Sequence, residues 1–131
     1  MKAGNPMRGV FLGSGAFGLP TLEAILGHCE VPLVVSQPDR PAGRGRRTTP
    51  TPISAAMLER PNGPDLLRVA SVNDPQARQA IDAAQPDALV VIAFGQKIGP
   101  ELLASHFAIN LHGSLLPRWR GAAPIHRAVM A

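Results

Sequence analysis

Residues 88–94 read Ala-Leu-Val-Val-Ile-Ala-Phe, an unbroken apolar run. It is too short for a typical helix and apolar on both faces, the pattern of a parallel strand covered on each side. Upstream, residues 75–84 carry a helical period, opened by Asp74-Pro75 as N-cap and first helical residue. Downstream, Glu101–Ser105 reads as a short helix and Phe107–Leu111 as a fifth strand. Nearer the N-terminus the expected elements are strand Val10–Leu12, helix Leu19–Gly27, strand Val31–Val35, a polar loop over 37–50, helix Ile53–Leu58 and strand Leu67–Ala70. This alternation predicts an α/β fold, a Rossmann-like, doubly wound and mostly parallel sheet. Such sheets bind ligands outside the carboxyl ends of their strands, so segments 13–18, 36–50, 94–98 and 110–121 are the ones to search. A last helix is expected from Ala122, with no closing Gly or Pro after Met130-Ala131, so the domain reads as truncated before it is complete.

The 131 residues suffice for one domain with a core, and 45% hydrophobic against 17% charged residues excludes a disordered chain. No apolar run is long enough to span a bilayer, so no membrane partner is expected. The apolar segment after Arg8 is broken by Gly13, Gly15 and Gly18, which argues against a secretory signal. A single cysteine, Cys29, excludes an intrachain disulfide and suits a cytoplasmic location. It belongs to no metal-ligand spacing, and no metal is expected. Met7-Arg8 reads as a natural start, with residues 1–6 as a disordered extension.

The net charge of +4 is local. Segment 37–50 holds Arg40, Arg44, Arg46 and Arg47 against Asp39, and segment 102–131 holds Arg118, Arg120 and Arg127 with no acid. All but two of the 13 basic residues, Lys2 and Lys97, are Arg, the side chain suited to bidentate phosphate contacts. An anionic ligand follows, and the Gly- and Pro-punctuated loop could drape over a phosphate backbone.

Two motifs point to chemistry. Gly13-Ser14-Gly15-Ala16-Phe17-Gly18 matches G-x-G-x-x-G between a strand and a helix, with Asp39 at about the distance of a ribose-binding acid. A nicotinamide-dependent oxidoreductase is therefore one alternative, although Asp39 lies in a loop between Pro38 and Arg40. Asn110-Leu111-His112 ends the last strand, and residues two apart in a strand share a face. An amide donor beside an imidazole can stabilise an oxyanion and move a proton, which acyl transfer to an amine requires. His28, His106 and His126 suggest no chemistry, and Trp119 reads equally as a stacking residue or a loop anchor.

Three segments together resemble the methionyl-tRNA formyltransferase family: QPDRPAGRG at 37–45, AFGQKIGPELL at 93–103 and NLHGSLLPRWRGAAPI at 110–125. The resemblance runs from Met7 to the last residue, so 7–131 is expected to be the N-terminal part of the catalytic domain. It implies transfer of a formyl group from 10-formyltetrahydrofolate to the α-amino group of initiator methionyl-tRNA, without a metal, by a cytoplasmic monomer. It assigns catalysis to Asn110 and His112, with a third catalytic residue, an Asp, beyond Ala131. It places the folate against Phe94, Gly95 and Gln96, bordered by Ser114, Leu115, Leu116 and Pro117. Arg40, Arg44, Arg46 and Arg47 match a loop that contacts tRNA. Asn110, His112 and the Ser114–Pro117 turn belong to the wider group of folate-dependent formyltransferases. A formyltransferase for another amine, glycinamide ribonucleotide or an amino sugar, therefore stays an alternative, with the basic loop favouring tRNA. The family often has G-[ST]-P-x-F-A at 13–18, so the glycine motif departs from the pattern. With a tRNA-holding β-barrel domain also expected downstream, the 131 residues alone are expected to transfer little or no formyl.

Overall fold

Five parallel strands order as β5-β2-β1-β6-β7 in the chain's main sheet. A computed structural model describes residues 6–42 and 47–112. In chain order the elements are β1 (Arg8–Gly13), a 3-10 turn (Ala16–Gly18), α1 (Leu19–His28), β2 (Glu30–Ser36), β3 (Arg40–Ala42), β4 (Arg47–Thr49), α2 (Pro52–Leu58), β5 (Asp65–Arg68), α3 (Pro75–Ala84), β6 (Ala88–Ile92), α4 (Pro100–Ser105) and β7 (Ala108–Leu111). The sheet grows outward from β1 in one direction through β2 and β5, then reverses to β6 and β7. That reversal is the topological switch point of a doubly wound fold, and it opens a crevice between the carboxyl ends of β1 and β6.

Side-chain alternation builds a core on each face. Val10, Leu12, Leu33, Val35, Leu89 and Val91 point to one side, where Ile81 of α3 and Leu102 of α4 meet them. Phe11, Val34 and Ile92 point to the other, against Leu22 of α1 and Ile53 and Met57 of α2. Both faces are thus dry, which is why β6 reads as continuously apolar rather than alternating. Register fixes the site: Val91 pairs with Asn110 and Ile92 with Leu111, bringing the ends of β6 and β7 side by side.

Four expectations need correction. The polar loop at 37–50 contains an antiparallel hairpin, with Arg40 opposite Thr49 and Ala42 opposite Arg47. Arg40, Pro41 and all of β4 are exposed, so no apolar alternation announces the hairpin. The strand expected at Leu67–Ala70 spans Asp65–Arg68, because pairing with β2 from Leu33 to Ser36 sets its limits. β6 stops at Ile92, two residues short of Phe94, for the backbone reason given below. β7 begins at Ala108 rather than Phe107. Asp74 does occupy the N-cap of α3, but without a side-chain cap hydrogen bond. The helix expected from Ala122 and residues 1–5 of the expected extension lie outside the described residues.

Leu89 is fully buried at the centre of the sheet. Leu89→Ala should lower unfolding stability by about 2–5 kcal/mol in a denaturant titration. Gln85 caps α3 in the left-handed region at φ 51°, where a Cβ is strained. Gln85→Gly should therefore raise stability by about 0.5–1 kcal/mol, readable as a higher Tm.

Candidate active site

The crevice is shaped by the backbone just past β6. Ala93 turns into the left-handed region at φ 49°, and Gly95 follows at φ 83°. The turned Ala93 carbonyl accepts hydrogen bonds from the amides of Ser14 and Gly15, each at 3.0 Å. Close approach at β1 demands glycine at 13, where a Cβ would lie 2.6 Å from the Phe11 ring and 2.8 Å from the Ile92 carbonyl oxygen. The glycine motif therefore packs β1 onto β6. The amides of Ser14, Gly15 and Gly18 already have partners, and both Asp39 carboxylate oxygens take Arg68 Nη1, at 3.1 and 3.2 Å. Both features are engaged by protein contacts, which argues against the nicotinamide reading.

At the wall of the crevice runs a chain of hydroxyls, buried at Ser14 and Ser36 and half-buried at Thr51. Ser14 Oγ donates to the Phe94 carbonyl at 3.1 Å and accepts from Ser36 Oγ at 3.3 Å. Ser36 Oγ in turn lies 2.6 Å from Thr51 Oγ1. Each hydroxyl has one proton, so once Ser36 donates to Ser14, Thr51 must donate to Ser36. Thr51 Oγ1 also caps α2 by accepting from the Ser54 amide at 3.0 Å. Polarity thus runs in one direction, and β1, β2, α2 and the segment after β6 are tied at one point.

Gln96 holds that segment from the other side. Its Nε2 donates to the Val69 carbonyl at 2.7 Å and to Gln37 Oε1 at 3.0 Å, while its Oε1 accepts from the Val72 amide at 2.7 Å. A Cβ at Gly95 would stand 2.7 Å from the Gln37 amide nitrogen, the movable end of a side chain, so it is the positive φ of 83° that favours glycine there. Of the three residues singled out for folate, Phe94 has its side chain in the core and its carbonyl on Ser14. Gln96 has its amide engaged, and Gly95 presents exposed backbone.

Two clefts flank this segment. The first, about 380 Å³, lies toward β7 and is lined by Gly95, Gln96, Lys97, Ile98, Leu103 and Asn110, with Val91 and Ala108 at its base. The second, about 480 Å³, lies toward the hairpin and is lined by Ser14, Gly15, Gln37, Arg40, Thr51 and Pro52 with Ala93, Phe94 and Gly95, and Gly95 lines both clefts. The fold thus brings Asn110 to the same cleft as Gly95 and Gln96, and His112 follows β7 at that edge, exposed. Asn110, itself exposed, shares its cleft with Val91, Ile98 and Leu103. Arg40 reaches the second cleft, and Arg47 sits exposed on β4. Arg44, Arg46, Ser114, Leu115, Leu116, Pro117 and Trp119 lie outside the described residues.

Sequence reading did not single out Lys97, Gln37 or Thr51. Each lies just past a strand end or at a helix start, and that placement is the signal that could have flagged them. His106, assigned no chemistry, meets Asp82 through Nε2 at 2.7 Å and joins the start of β7 to α3.

The sequence profile of the formyl transferase family matches residues 7–131. The chain is 44% identical over 128 residues to a methionyl-tRNA formyltransferase of Methylococcus capsulatus, covering 95% of this chain and 41% of that one. It is 45% identical over 127 residues to the enzyme so named in Stenotrophomonas maltophilia, with 95% and 41% covered. For the Ruegeria pomeroyi protein of the same name it is 44% over 129 residues, with 95% and 42% covered. The chain spans about two fifths of the length of these curated relatives.

Ser36, wholly buried, is the middle link of the hydroxyl chain. Ser36→Ala should destabilise the fold by about 1–3 kcal/mol in chemical denaturation, because Thr51 and Ser14 each lose a buried partner.

Proposed function

The chain belongs to the formyl transferase family, and on that premise we propose that the intact protein transfers a formyl group from 10-formyltetrahydrofolate to the α-amino group of initiator methionyl-tRNA. Residues 7–131 are the N-terminal part of its catalytic domain in this reading. The observation that carries it is Asn110 on β7, facing a cleft whose opposite wall is the exposed backbone at Gly95. The cleft's volume, about 380 Å³, suits a small-molecule site, and its mixed backbone and apolar lining suits a flat heteroaromatic ring with donors and acceptors along one edge. The wall at Gly95–Lys97 is held by Ser14 and Gln96, so the ring meets backbone that is already fixed.

The folate carries the formyl group into the cleft on N10. The neutral amine of the aminoacyl-tRNA attacks the formyl carbon, a carbon–nitrogen bond forms, and the carbonyl electron pair moves to oxygen. Asn110 Nδ2 donates a hydrogen bond to that oxyanion. His112, two residues on at the same edge, stabilises the charge or takes the proton that the attacking nitrogen gives up. Collapse of the intermediate breaks the bond to N10, which leaves with a proton. Arg40 and Arg47 of the hairpin, with Arg44 and Arg46 between them in sequence, contact the phosphates of the acceptor end in this reading, and Arg40 lines the cleft on the amine side. Ser114–Pro117 border the folate. The relatives named methionyl-tRNA formyltransferase support tRNA as the amine carrier over a smaller amine. The reaction is assigned to the cytoplasm and to a monomer. No helix among the described residues is long and apolar enough to cross a membrane.

In a formyl-transfer assay of the intact protein, Asn110→Ala should lower kcat by about 10²–10³-fold, as loss of an oxyanion donor does elsewhere. Wild-type rates in both Asn110→Ala and His112→Ala would overturn the assignment. Arg44→Ala should raise KM for methionyl-tRNA and leave the folate KM unchanged, measured by varying each substrate in turn.

A further inference from the structure

One wall of the first cleft is held from behind by a residue to which no function has been given. Asn73 sits in the turn between β5 and α3, and both ends of its side-chain amide reach the segment after β6. Its Nδ2 donates to the Lys97 carbonyl at 2.9 Å, and its Oδ1 accepts from the Gly99 amide at 2.7 Å. The backbone of Asn73 is itself anchored. Its amide donates to Ser71 Oγ at 3.2 Å, and its carbonyl accepts from Arg78 Nε at 3.1 Å. The preceding Val72 is fully buried, and its amide donates to Gln96 Oε1.

The two bonds bracket Lys97 and Ile98, which line the cleft opposite Asn110. They also fix Gly99, the N-cap of α4, whose Leu103 closes the same cleft. The approach is close enough that a Cβ on Gly99 would stand 2.7 Å from Asn73 Oδ1. Bridging a carbonyl and an amide two residues apart needs one donor and one acceptor on a short planar group, which asparagine has and ionised aspartate lacks.

We propose that Asn73 is a positioning residue for the folate-side cleft: its amide clamps Lys97–Gly99 and so presets the wall against which the folate binds. This rests on the formyl-transfer reading above. Preset geometry lowers the ordering penalty of binding, so losing it weakens ground-state affinity while Asn110, on β7, keeps its place.

The test is steady-state formyl transfer by the intact protein, with 10-formyltetrahydrofolate and methionyl-tRNA varied separately. Three variants attack the same contact: Asn73→Ala removes both bonds, Asn73→Asp removes the donor, and Gly99→Ala pushes on the clamp from the other side. Each should raise KM for the folate by about three- to tenfold, the worth of one or two hydrogen bonds. Turnover should stay within about twofold and the KM for tRNA should not move, a split that general destabilisation does not produce. Should Asn73→Ala fail to fold, the other two variants carry the comparison. An unchanged folate KM in the folded variants overturns the clamp, as does a joint change in kcat and both KM values. Absence of formyl transfer in the wild type overturns the functional reading itself, and that control is run before any variant.

Discussion

The carbonyl of Ala93 is the point on which the site depends. Two amides from the other side of the crevice, those of Ser14 and Gly15, converge on it. Turning it toward them forces Ala93 into the left-handed region, a conformation that costs an L-residue about 1–2 kcal/mol. Two hydrogen bonds of about 0.5–1.5 kcal/mol each offset that cost. The consequence is geometric. β6 ends at Ile92, the chain folds across the switch point, and Gly95 comes to line a cleft on either side.

The segment after β6 is useful only because it is held. Ser14 takes the Phe94 carbonyl, Gln96 ties the segment to the ends of β5 and β2, and Phe94 anchors it in the core. Several polar side chains around it are already bonded to protein. Among the described residues, those left exposed include the backbone at Gly95, the Lys97 side chain, Asn110 and His112 on the β7 side, and Arg40 at the second cleft. A ligand at this site meets a framework of fixed dipoles, the arrangement in which hydrogen bonds to developing charge are most effective.

Charge divides between the two sides in the same way. The first cleft has mixed apolar and amide walls with one cation at its rim, whereas the second is approached by the arginine-bearing hairpin. Asp39 at the base of that hairpin is paired with Arg68 on β5, so the acid that sequence spacing offered as a ribose ligand serves as an anchor. The spacing was right for a dinucleotide site and the partner was wrong, because strand order sets an acid's neighbour and spacing does not.

Patterns repeated along the chain fixed the architecture in advance. The apolar run at 88–94, the helical period at 75–84 and the strands at 10–12 and 31–35 each reflect burial that a neighbouring layer must provide, so they identify the α/β class and the sheet edge at which the crevice opens. The Asn-x-His spacing at 110–112 was legible for the same local reason, since alternation is built into a strand. The polar hairpin left no such trace, because its exposed strands bury nothing that would constrain their side chains. The roles of Gln96 and Asn73 were hidden too: each bonds to groups more than 20 residues away, and a long-range amide looks like any surface amide until the backbone arrives beside it. Local periodicity determined which elements form, and only the folded sheet, by choosing which strand ends meet, decided which polar groups are consumed in holding the site and which are left to act.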